Sequence, residues 1–413
     1  MERVILHCDC NSFFASVETA LNPSYAGVPM AVCGDEEARH GIVLAKNELA
    51  KRYGIVTAET VYSAKRKCPT LVIAPPHYDA YVRYSRMVNE IYARYTDTIE
   101  PFGIDESWLD VTASRTLFGD GMAIAERIRA DVKRECGITV SIGVSFNKVF
   151  AKLGSDYKKP DAITEISREN FRQIVYPLPV GSLLFVGKRT EADLFRMGIR
   201  TVGELAAAED GVIVRHFGKM GRMLLCYARG EDNAPVATEH EQAKSISNGF
   251  TFAHDLTRAD ECRRAIELLT EEVGTKLRRE GLRAHTVSLK VKDAFLKTQQ
   301  KQKTLAMPTS NARDIAREAY ALFCAFWPQG KPVRMLTVGV SRLEEAGAFG
   351  EQMSFFADER PSREREKNDR RERAVDAIRE RFGTTSIVTA SVIDDDLGLL
   401  GKHTKKKEKT SEK

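Results

Sequence analysis

The sequence lacks the features of a membrane-embedded or secreted protein. Its 413 residues contain no run of about eighteen uncharged apolar residues, so we expect no segment to cross a bilayer. The N-terminus leads into a predicted strand without the charged and apolar regions of a secretion signal. The eight cysteines are scattered and form no Cys-x-x-Cys motif, which favours free thiols over a disulfide framework or a zinc site. These absences predict a cytoplasmic protein with no membrane partner.

The modest net charge of +5 hides an uneven distribution along the chain. Residues 1–170 carry 21 basic and 23 acidic side chains, whereas residues 244–344 carry 18 basic and 11 acidic ones. Residues 402–413 add six lysines against two glutamates. This pattern suggests that the basic region binds a polyanion that another part of the chain processes. A merely solvated charged surface is the alternative, above all for the tail.

Asp105 and Glu106 form the most informative pair of residues in the chain. They lie between two segments with the pattern of strands, and adjacent carboxylates repel each other unless a bound cation compensates them. Asp9 ends the first predicted strand, Arg3–Cys8, so three carboxylates from two strands could hold two Mg²⁺ ions. Such a site supports phosphoryl or nucleotidyl transfer. A solvated acidic turn is the simpler alternative.

The length of the chain allows roughly two to four domains. Hydrophobic periodicity predicts two αβ layers separated by a helical region. Residues 1–168 follow the split βαβ order of a ferredoxin-like layer. The remaining divisions are short helices with glycine turns at 169–235, a linker at 236–244, a second αβ layer at 245–344 and a flexible charged tail at 345–413. Within the tail, residues 371–382 have helical periodicity.

Three segments stand out together: DCNSFFASVE at 9–18, IDES at 104–107 and SFNKVFAK at 145–152. These segments resemble the Y-family translesion DNA polymerases. The nearest likeness is to the DinB, or DNA polymerase IV, branch, with some UmuC-like features, and it runs in order over about residues 1–345. The resemblance implies an α+β multidomain, right-hand-like enzyme that copies DNA with low fidelity during damage tolerance.

By this resemblance, each predicted region corresponds to a polymerase domain. Residues 1–168 would be a ferredoxin-like palm, with small fingers inserted at about 19–77. Residues 169–235 would be a helical thumb with helix–hairpin–helix character, and residues 245–344 a βαββαβ little finger that grips DNA through its phosphates. The partners implied are primer–template DNA and deoxynucleoside triphosphates, bound by a monomer.

The resemblance also assigns roles to the three carboxylates. Asp9, Asp105 and Glu106 would bind two Mg²⁺ ions, and the backbone carbonyl of Cys10 would complete one coordination shell. Glu106 would be the catalytic carboxylate, beside the metal that activates the primer 3′-OH.

The incoming nucleotide would meet three further residues. Phe14 would lie under C2′ of the sugar and exclude ribonucleotides, and Phe13 would stack nearby, although both could instead be core residues at a helix start. Because two adjacent residues cannot share one helix face, one of them needs a role outside the core. Lys159 matches the triphosphate-binding lysine of the family.

The chain departs from the commonest family pattern at four positions. Glu48 and Lys51 stand where the DinB branch usually has Tyr and Arg, so Lys51 would meet phosphate as a point charge and not as a bidentate fork. This leaves the roles of Lys51 and the neighbouring Arg52 open. Asn11 stands in place of the second Asp of the first motif, and Gly103 stands in place of the Ser before Ile-Asp-Glu. Neither change removes a metal ligand.

A short motif in the tail resembles the bacterial sliding-clamp-binding peptide. Its anchors would be Gln352, Met353, Phe355 and Phe356, which would fill a preformed pocket on the clamp. The alternative is an apolar segment that folds back on residues 245–344.

Two other functions stay open at this level. One is a different two-metal palm enzyme, such as a nucleotidyl cyclase, for which a basic DNA-gripping domain would have no use. The other is a catalytically inactive accessory that binds DNA or the clamp, against which the intact Asp9, Asp105 and Glu106 argue.

Overall fold

The described part of the chain forms two compact units. The computed structural model describes residues 2–35, 39, 41–238, 242–346, 360–383 and 386–387. One unit lies within residues 1–36 and 41–240, and the other within 37–40 and 241–413. Within these described residues, none of the helices combines the length and apolar character that a membrane crossing requires.

The first unit begins with a sheet and its covering helices. In chain order these elements are β1 (Ile5–Cys10), α1 (Phe13–Leu21), β2 (Met30–Cys33), β3 (Val43–Lys46), α2 (Glu48–Arg52), α3 (Val61–Lys67), β4 (Val72–Ala74), α4 (Tyr78–Tyr92), β5 (Ile99–Pro101), β6 (Glu106–Asp110), α5 (Arg115–Phe118), α6 (Gly121–Cys136), β7 (Val140–Ser145), α7 (Lys148–Tyr157) and β8 (Ile163–Ile166). A 3₁₀ turn covers Pro23–Tyr25.

The main sheet has the strand order β5-β6-β1-β7-β8, so the first strand of the chain lies at its centre. β1 pairs antiparallel with both β6 and β7. The strand runs to Cys10, two residues beyond the predicted end, because its pairing with β7 continues to Val140. Asp9 therefore lies within a central strand and not after it, which fixes its backbone on both sides.

A small sheet of order β3-β2-β4 lies in the inserted segment between α1 and α4. The asparagine before α2, Asn47, caps that helix by accepting a hydrogen bond from the backbone N–H of Ala50. α6 begins after the capping Asp120 and ends at Cys136, and the capping Gly137 has a φ of 66°, which suits a residue without a Cβ.

Short helices complete the first unit. They are α8 (Phe171–Val175), α9 (Lys188–Arg196), α10 (Val202–Ala207), α11 (Asp210–Phe217) and α12 (Lys219–Arg229), with a 3₁₀ turn at Val180–Ser182. α9 and α12 begin directly after Gly187 and Gly218, as the glycine pattern predicts. Their apolar faces share one core with Val149 and Phe150 of α7 and with Phe146, which precedes that helix.

The second unit is a four-stranded antiparallel sheet with helices on one face. Its elements are β9 (Ser245–Leu256), α13 (Ala259–Arg279), β10 (Leu282–Lys292), β11 (Thr298–Thr309), α14 (Ala312–Phe326), β12 (Val333–Glu345) and α15 (Arg360–Phe382). The strand order is β11-β10-β12-β9. Leu289, Val338 and Leu336 alternate with outward residues and pack with α13 and α14 in a single core.

α15 differs from the flexible tail expected for residues 345–413. The helix packs on the second unit mainly through charge: Glu372 and Asp376 bind the guanidinium of Arg278, and Arg379 lies 2.8 Å from Glu271. Arg278 is only 10% exposed. Because these contacts are ionic, the apolar periodicity of the sequence gives little sign of a docked helix.

Candidate active site

The three predicted carboxylates meet at one end of the central strands. In the pairing of β1 with β6, Asp9 lies directly opposite Glu106. The backbone N–H of Cys10 donates a hydrogen bond of 2.9 Å to the carbonyl of Asp105, which continues the pairing past the strand end. Residues almost a hundred positions apart in sequence therefore meet at the same end of two paired strands, as the predicted metal site requires.

Two lysines neutralise two of these carboxylates. The ammonium group of Lys159 lies 2.7 Å from Asp9 and 2.7 Å from Asp156. The ammonium group of Lys152, on α7, is hydrogen-bonded to Glu106. Two of the three carboxylates thus have a lysine as counter-ion: Lys159 for Asp9 and Lys152 for Glu106.

A close helix–sheet contact brings Lys152 to the cluster. Gly143 lies on β7 opposite α7, and a Cβ there would come within 1.8 Å of the carbonyl oxygen of Ala151. Gly154 on α7 faces Gly143, and a Cβ added at Gly154 would lie 3.0 Å from the Cα of Gly143. Only glycine permits this approach, and it places the helix close enough for Lys152 to reach Glu106.

His7 joins the cluster, although it lies outside the three family-like segments of the sequence. Its Nδ1 lies 2.8 Å from the hydroxyl of Ser155, and its Nε2 lies 3.2 Å from Glu106 without an aligned hydrogen bond. The side chain is fully buried. The available signal was the two-residue spacing from Asp9, because residues i and i+2 of a strand point to the same face.

The local environment separates the pKa values of the carboxylates. Burial, with the neighbouring charges of Asp9 and Glu106, raises the pKa of Asp105 to about 6. Burial also raises the pKa of Asp9, against the opposing effect of Lys159. Burial acts in the same direction on Glu106, but its contacts with His7 and Lys152 prevail and lower the pKa to about 2. Burial lowers the pKa of His7, which favours the neutral imidazole.

This donor set fits a divalent cation. Ligand atoms of His7, Asp9 and Glu106 all lie within 4.8 Å of one another. Carboxylate oxygens suit hard cations such as Mg²⁺, and the buried Nε2 of His7 has no hydrogen-bond partner among the residues that the structure describes. Burial, and after it the charges of Asp9 and Glu106, raises the pKa of Asp105, and a cation bound there would favour its ionised form.

The two adjacent phenylalanines have different environments. Phe13 is buried in the core beneath the main sheet, whereas Phe14 is half-buried. The Phe14 ring stacks on Tyr81 with centroids 4.1 Å apart and an angle of 11° between the planes. Tyr78 contacts Phe14 edge-on at 6.0 Å. Phe14 is thus the member of the pair that is not confined to the core.

A buried carboxylate holds the tyrosine behind Phe14. Glu18 is 3% exposed and accepts hydrogen bonds from the hydroxyl of Tyr81 and from Nδ1 of His77, the latter at 2.9 Å. The helical spacing of Tyr81 in the sequence gives no indication of its stacked partner, Phe14. The ring of Phe14 therefore rests on a tyrosine whose own position is fixed.

Lys51 lies in an ion pair of its own helix. Its ammonium group is 2.5 Å from Glu48, and the same carboxylate accepts a hydrogen bond of 3.1 Å from the hydroxyl of Ser12. Ser12 precedes Phe13 and adopts a φ of 47°. α2 is thereby tied to the turn that follows β1. Residues 352–356, the proposed clamp-binding anchors, lie outside the described residues.

The fold is that of the Y-family DNA polymerases. A solved Y-family DNA polymerase chimera superposes with a TM-score of 0.73 over 83% of this chain and 99% of that one, at 22% identity. The predicted α+β multidomain architecture of the Y-family is therefore confirmed.

Family models then define the particular family. The model described as "impB/mucB/samB family" matches residues 8–156, and that of its C-terminal domain matches residues 243–355. The chain belongs to the impB/mucB/samB family. A DNA polymerase IV of Acetivibrio thermocellus is 45% identical over 96% of this chain and 98% of that protein. DNA polymerase IV 2 of Bacillus subtilis is 36% identical over 94% of each chain. The resemblance carried by the three sequence segments is confirmed.

Proposed function

We propose that this protein is a template-directed DNA polymerase of translesion synthesis. The observation that carries the proposal is the meeting of Asp9, Asp105 and Glu106 at one edge of the main sheet. The relatives named DNA polymerase IV match this chain over nearly its full length, which favours a polymerase over a cyclase or an inactive accessory. The retained carboxylates also argue against a protein that only binds DNA.

The carboxylates would hold the divalent metal that the family implies, and we propose two Mg²⁺ ions with the carbonyl of Cys10 as a further ligand. Bound there, the ions would lower the pKa of the primer 3′-OH and neutralise charge on the leaving pyrophosphate. Glu106 is the proposed catalytic carboxylate. Its low pKa of about 2 keeps it ionised, and therefore able to bind a cation, across the physiological range.

The lysines and the aromatic pair would hold the nucleotide. Lys159 would exchange Asp9 and Asp156 for the triphosphate, and Lys51 would exchange Glu48 for a phosphate oxygen. Each exchange keeps the ammonium group paired throughout. Phe14 would lie under the sugar, with Phe13 behind it, and the fixed Tyr81 would prevent Phe14 from retreating when a 2′-OH approaches.

The sheet of the second unit supports duplex DNA as the substrate. The face opposite α13 and α14 carries mostly small or polar residues: Ser245, Ser247, Gly249, Thr251, Ser288, Lys290, Lys292, Thr298, Gln300, Gln302, Met335, Thr337, Gly339 and Ser341. Short hydroxyl side chains contact phosphates closely without reading a base sequence. Lys290 and Lys292 add positive charge, so binding would weaken as salt rises.

We assign the polymerase domains along the boundaries that the sequence predicts. These are a palm at 1–168 with fingers at about 19–77, a thumb at 169–235, a linker at 236–244, a little finger at 245–344 and a terminal segment at 345–413. The terminal segment includes the docked α15. We further propose a monomer that acts in the cytoplasm, where its eight free cysteines would stay reduced.

Primer extension with the purified chain tests the proposed function. In Mg²⁺, we expect template-directed addition of deoxynucleotides to an annealed primer, including addition opposite an abasic site. A chelator should abolish the addition, because without a divalent cation nothing offsets the repulsion between the carboxylates and the triphosphate. Tight DNA binding without extension would indicate the accessory instead, and a cyclic product from free nucleotide would indicate a cyclase.

We propose that residues 352–356 bind the bacterial sliding clamp through Gln352, Met353, Phe355 and Phe356. Deletion of this segment should leave extension of short primers unchanged but remove stimulation by the clamp, because the peptide supplies the tether and not the chemistry. The comparison is extension with and without added clamp. A matched deletion within 402–413 should retain the stimulation. Equal stimulation of the full chain and the 352–356 deletion would contradict the proposal.

A further inference from the structure

Asn11 makes an unusually complete set of contacts for a residue beside the carboxylates. It follows Cys10 at the end of β1 and is 5% exposed. Its Nδ2 donates to the hydroxyl of Ser141 at 2.8 Å. Its Oδ1 accepts from the hydroxyl of Thr139 at 3.0 Å and from the backbone N–H of Asp161 at 2.9 Å. Both lone pairs of the oxygen are used, so the orientation of the amide is determined by its surroundings.

The contact with Asp161 reaches the loop that carries Lys159. Asp161 follows Lys159 by two residues and has a φ of 52°, a conformation that non-glycine residues keep only when neighbouring groups hold it. Arg129 holds this loop through the Asp161 carbonyl at 2.8 Å, and Lys133 through its carboxylate at 2.8 Å. Asn11 supplies the third attachment, and it is the one that comes from the carboxylate-bearing strand.

The loop and the strand are therefore joined in two ways. One is the ion pair between Lys159 and Asp9, which must break when the lysine turns to a phosphate. The other is the hydrogen bond from Asp161 to Asn11, which can persist throughout. An aspartate in place of Asn11 could accept the same two bonds, but it would add a buried negative charge next to Asp9 and Asp105. The neutral amide holds the loop without that charge.

We propose that Asn11 is a positioning residue, which holds the 159–161 loop so that Lys159 meets the triphosphate at a fixed distance from Asp9. The inference rests on the proposed function, since it concerns the nucleotide of the same reaction. The side chain of Asn11 itself need not touch the nucleotide. Its effect should therefore be measurable only through Lys159.

Asn11→Leu tests this role, with Ser141→Ala as a matched control. The leucine is similar in size but makes no hydrogen bond, whereas Ser141→Ala removes one bond of the same amide and leaves the bond to Asp161. Loss of a bond that aligns the lysine should raise KM for the incoming deoxynucleotide about 10-fold, with kcat changed less than about 3-fold. Ser141→Ala should leave KM within about 2-fold. Single-nucleotide extension gives both constants.

A double-mutant cycle with Lys159→Gln separates positioning from a general structural effect. In the Lys159→Gln background, Asn11→Leu should change KM by less than about 2-fold, because the residue through which it acts is gone. An equal rise in KM in both backgrounds would overturn the inference. If Asn11→Leu does not fold, Arg129→Gln replaces it in the same double-mutant cycle with Lys159→Gln. Arg129 is part-exposed on α6, and its substitution loosens the same loop.

The wild-type chain distinguishes the two levels of failure. Absence of extension by the wild type would contradict the proposed function. Extension by the wild type, with additive effects of Asn11→Leu and Lys159→Gln on KM, would contradict only the positioning role. Extension with non-additive effects supports both.

Discussion

Glu106→Gln should abolish primer extension while leaving DNA affinity nearly unchanged. The substitution keeps the size of the side chain but removes the charge that would bind a cation beside the primer end. Removal of one group that acts in the transition state typically lowers kcat by roughly 10²–10³-fold, and a metal ligand should lie at or above the upper end. Affinity for primer–template should stay within about 2-fold, because phosphate contacts elsewhere dominate it.

Glu135→Gln is the matched control for that experiment. Glu135 is also an ion-paired carboxylate of the first unit, bound to Arg94 at 2.6 Å, but it lies on α6 and outside the carboxylate cluster. Its neutralisation should leave the extension rate within about 2-fold. A Glu106→Gln protein that extends primers at the wild-type rate would show that the cluster is not the reaction site. The test is direct because it compares two isosteric changes.

The local sequence patterns were enough to place the carboxylates. Asp9 follows an apolar segment, and Asp105 and Glu106 lie between two segments with the pattern of strands. Antiparallel pairing of neighbouring strands then brings the end of β1 beside the start of β6. The glycine turns predicted within residues 169–235 likewise correspond to Gly187 and Gly218, directly before α9 and α12. Such features depend on near neighbours in sequence, which is why periodicity detects them.

Contacts between distant residues could not be predicted in the same way. His7 enters the carboxylate cluster through the pairing of three strands, and Lys152 reaches it because two glycines let α7 approach β7. The spacing of His7 from Asp9 indicates a shared strand face, but neither the pairing of the three strands nor the approach of α7 to β7 is encoded in a local pattern. The docking of α15 depends on Arg278 and its acidic partners, whose charges in sequence resemble those of any solvated helix. The positions of His7, Lys152 and α15 depend on tertiary packing and not on local secondary-structure propensity.

The role proposed for Phe14 follows from such a tertiary contact. Stacked on Tyr81 at 4.1 Å, the ring cannot move toward the core without displacing a tyrosine that is hydrogen-bonded to the buried Glu18. A rigid ring can reject a 2′-OH by steric overlap, whereas a mobile ring would move aside and discriminate weakly. The strength of sugar selection should therefore depend on this support.

Phe14→Ala should accordingly admit ribonucleotides. We expect the ratio of kcat/KM for ribonucleotides to that for deoxynucleotides to rise on the order of 10²-fold, mainly through faster ribonucleotide use, because the clash is removed. Single-nucleotide extension with matched ribo- and deoxynucleotides measures this ratio. Tyr78→Ala is the control, since this exposed ring contacts Phe14 only edge-on and should leave the ratio within about 3-fold. Unchanged selectivity in Phe14→Ala would assign Phe14 to packing alone, and sugar selection would then need another residue.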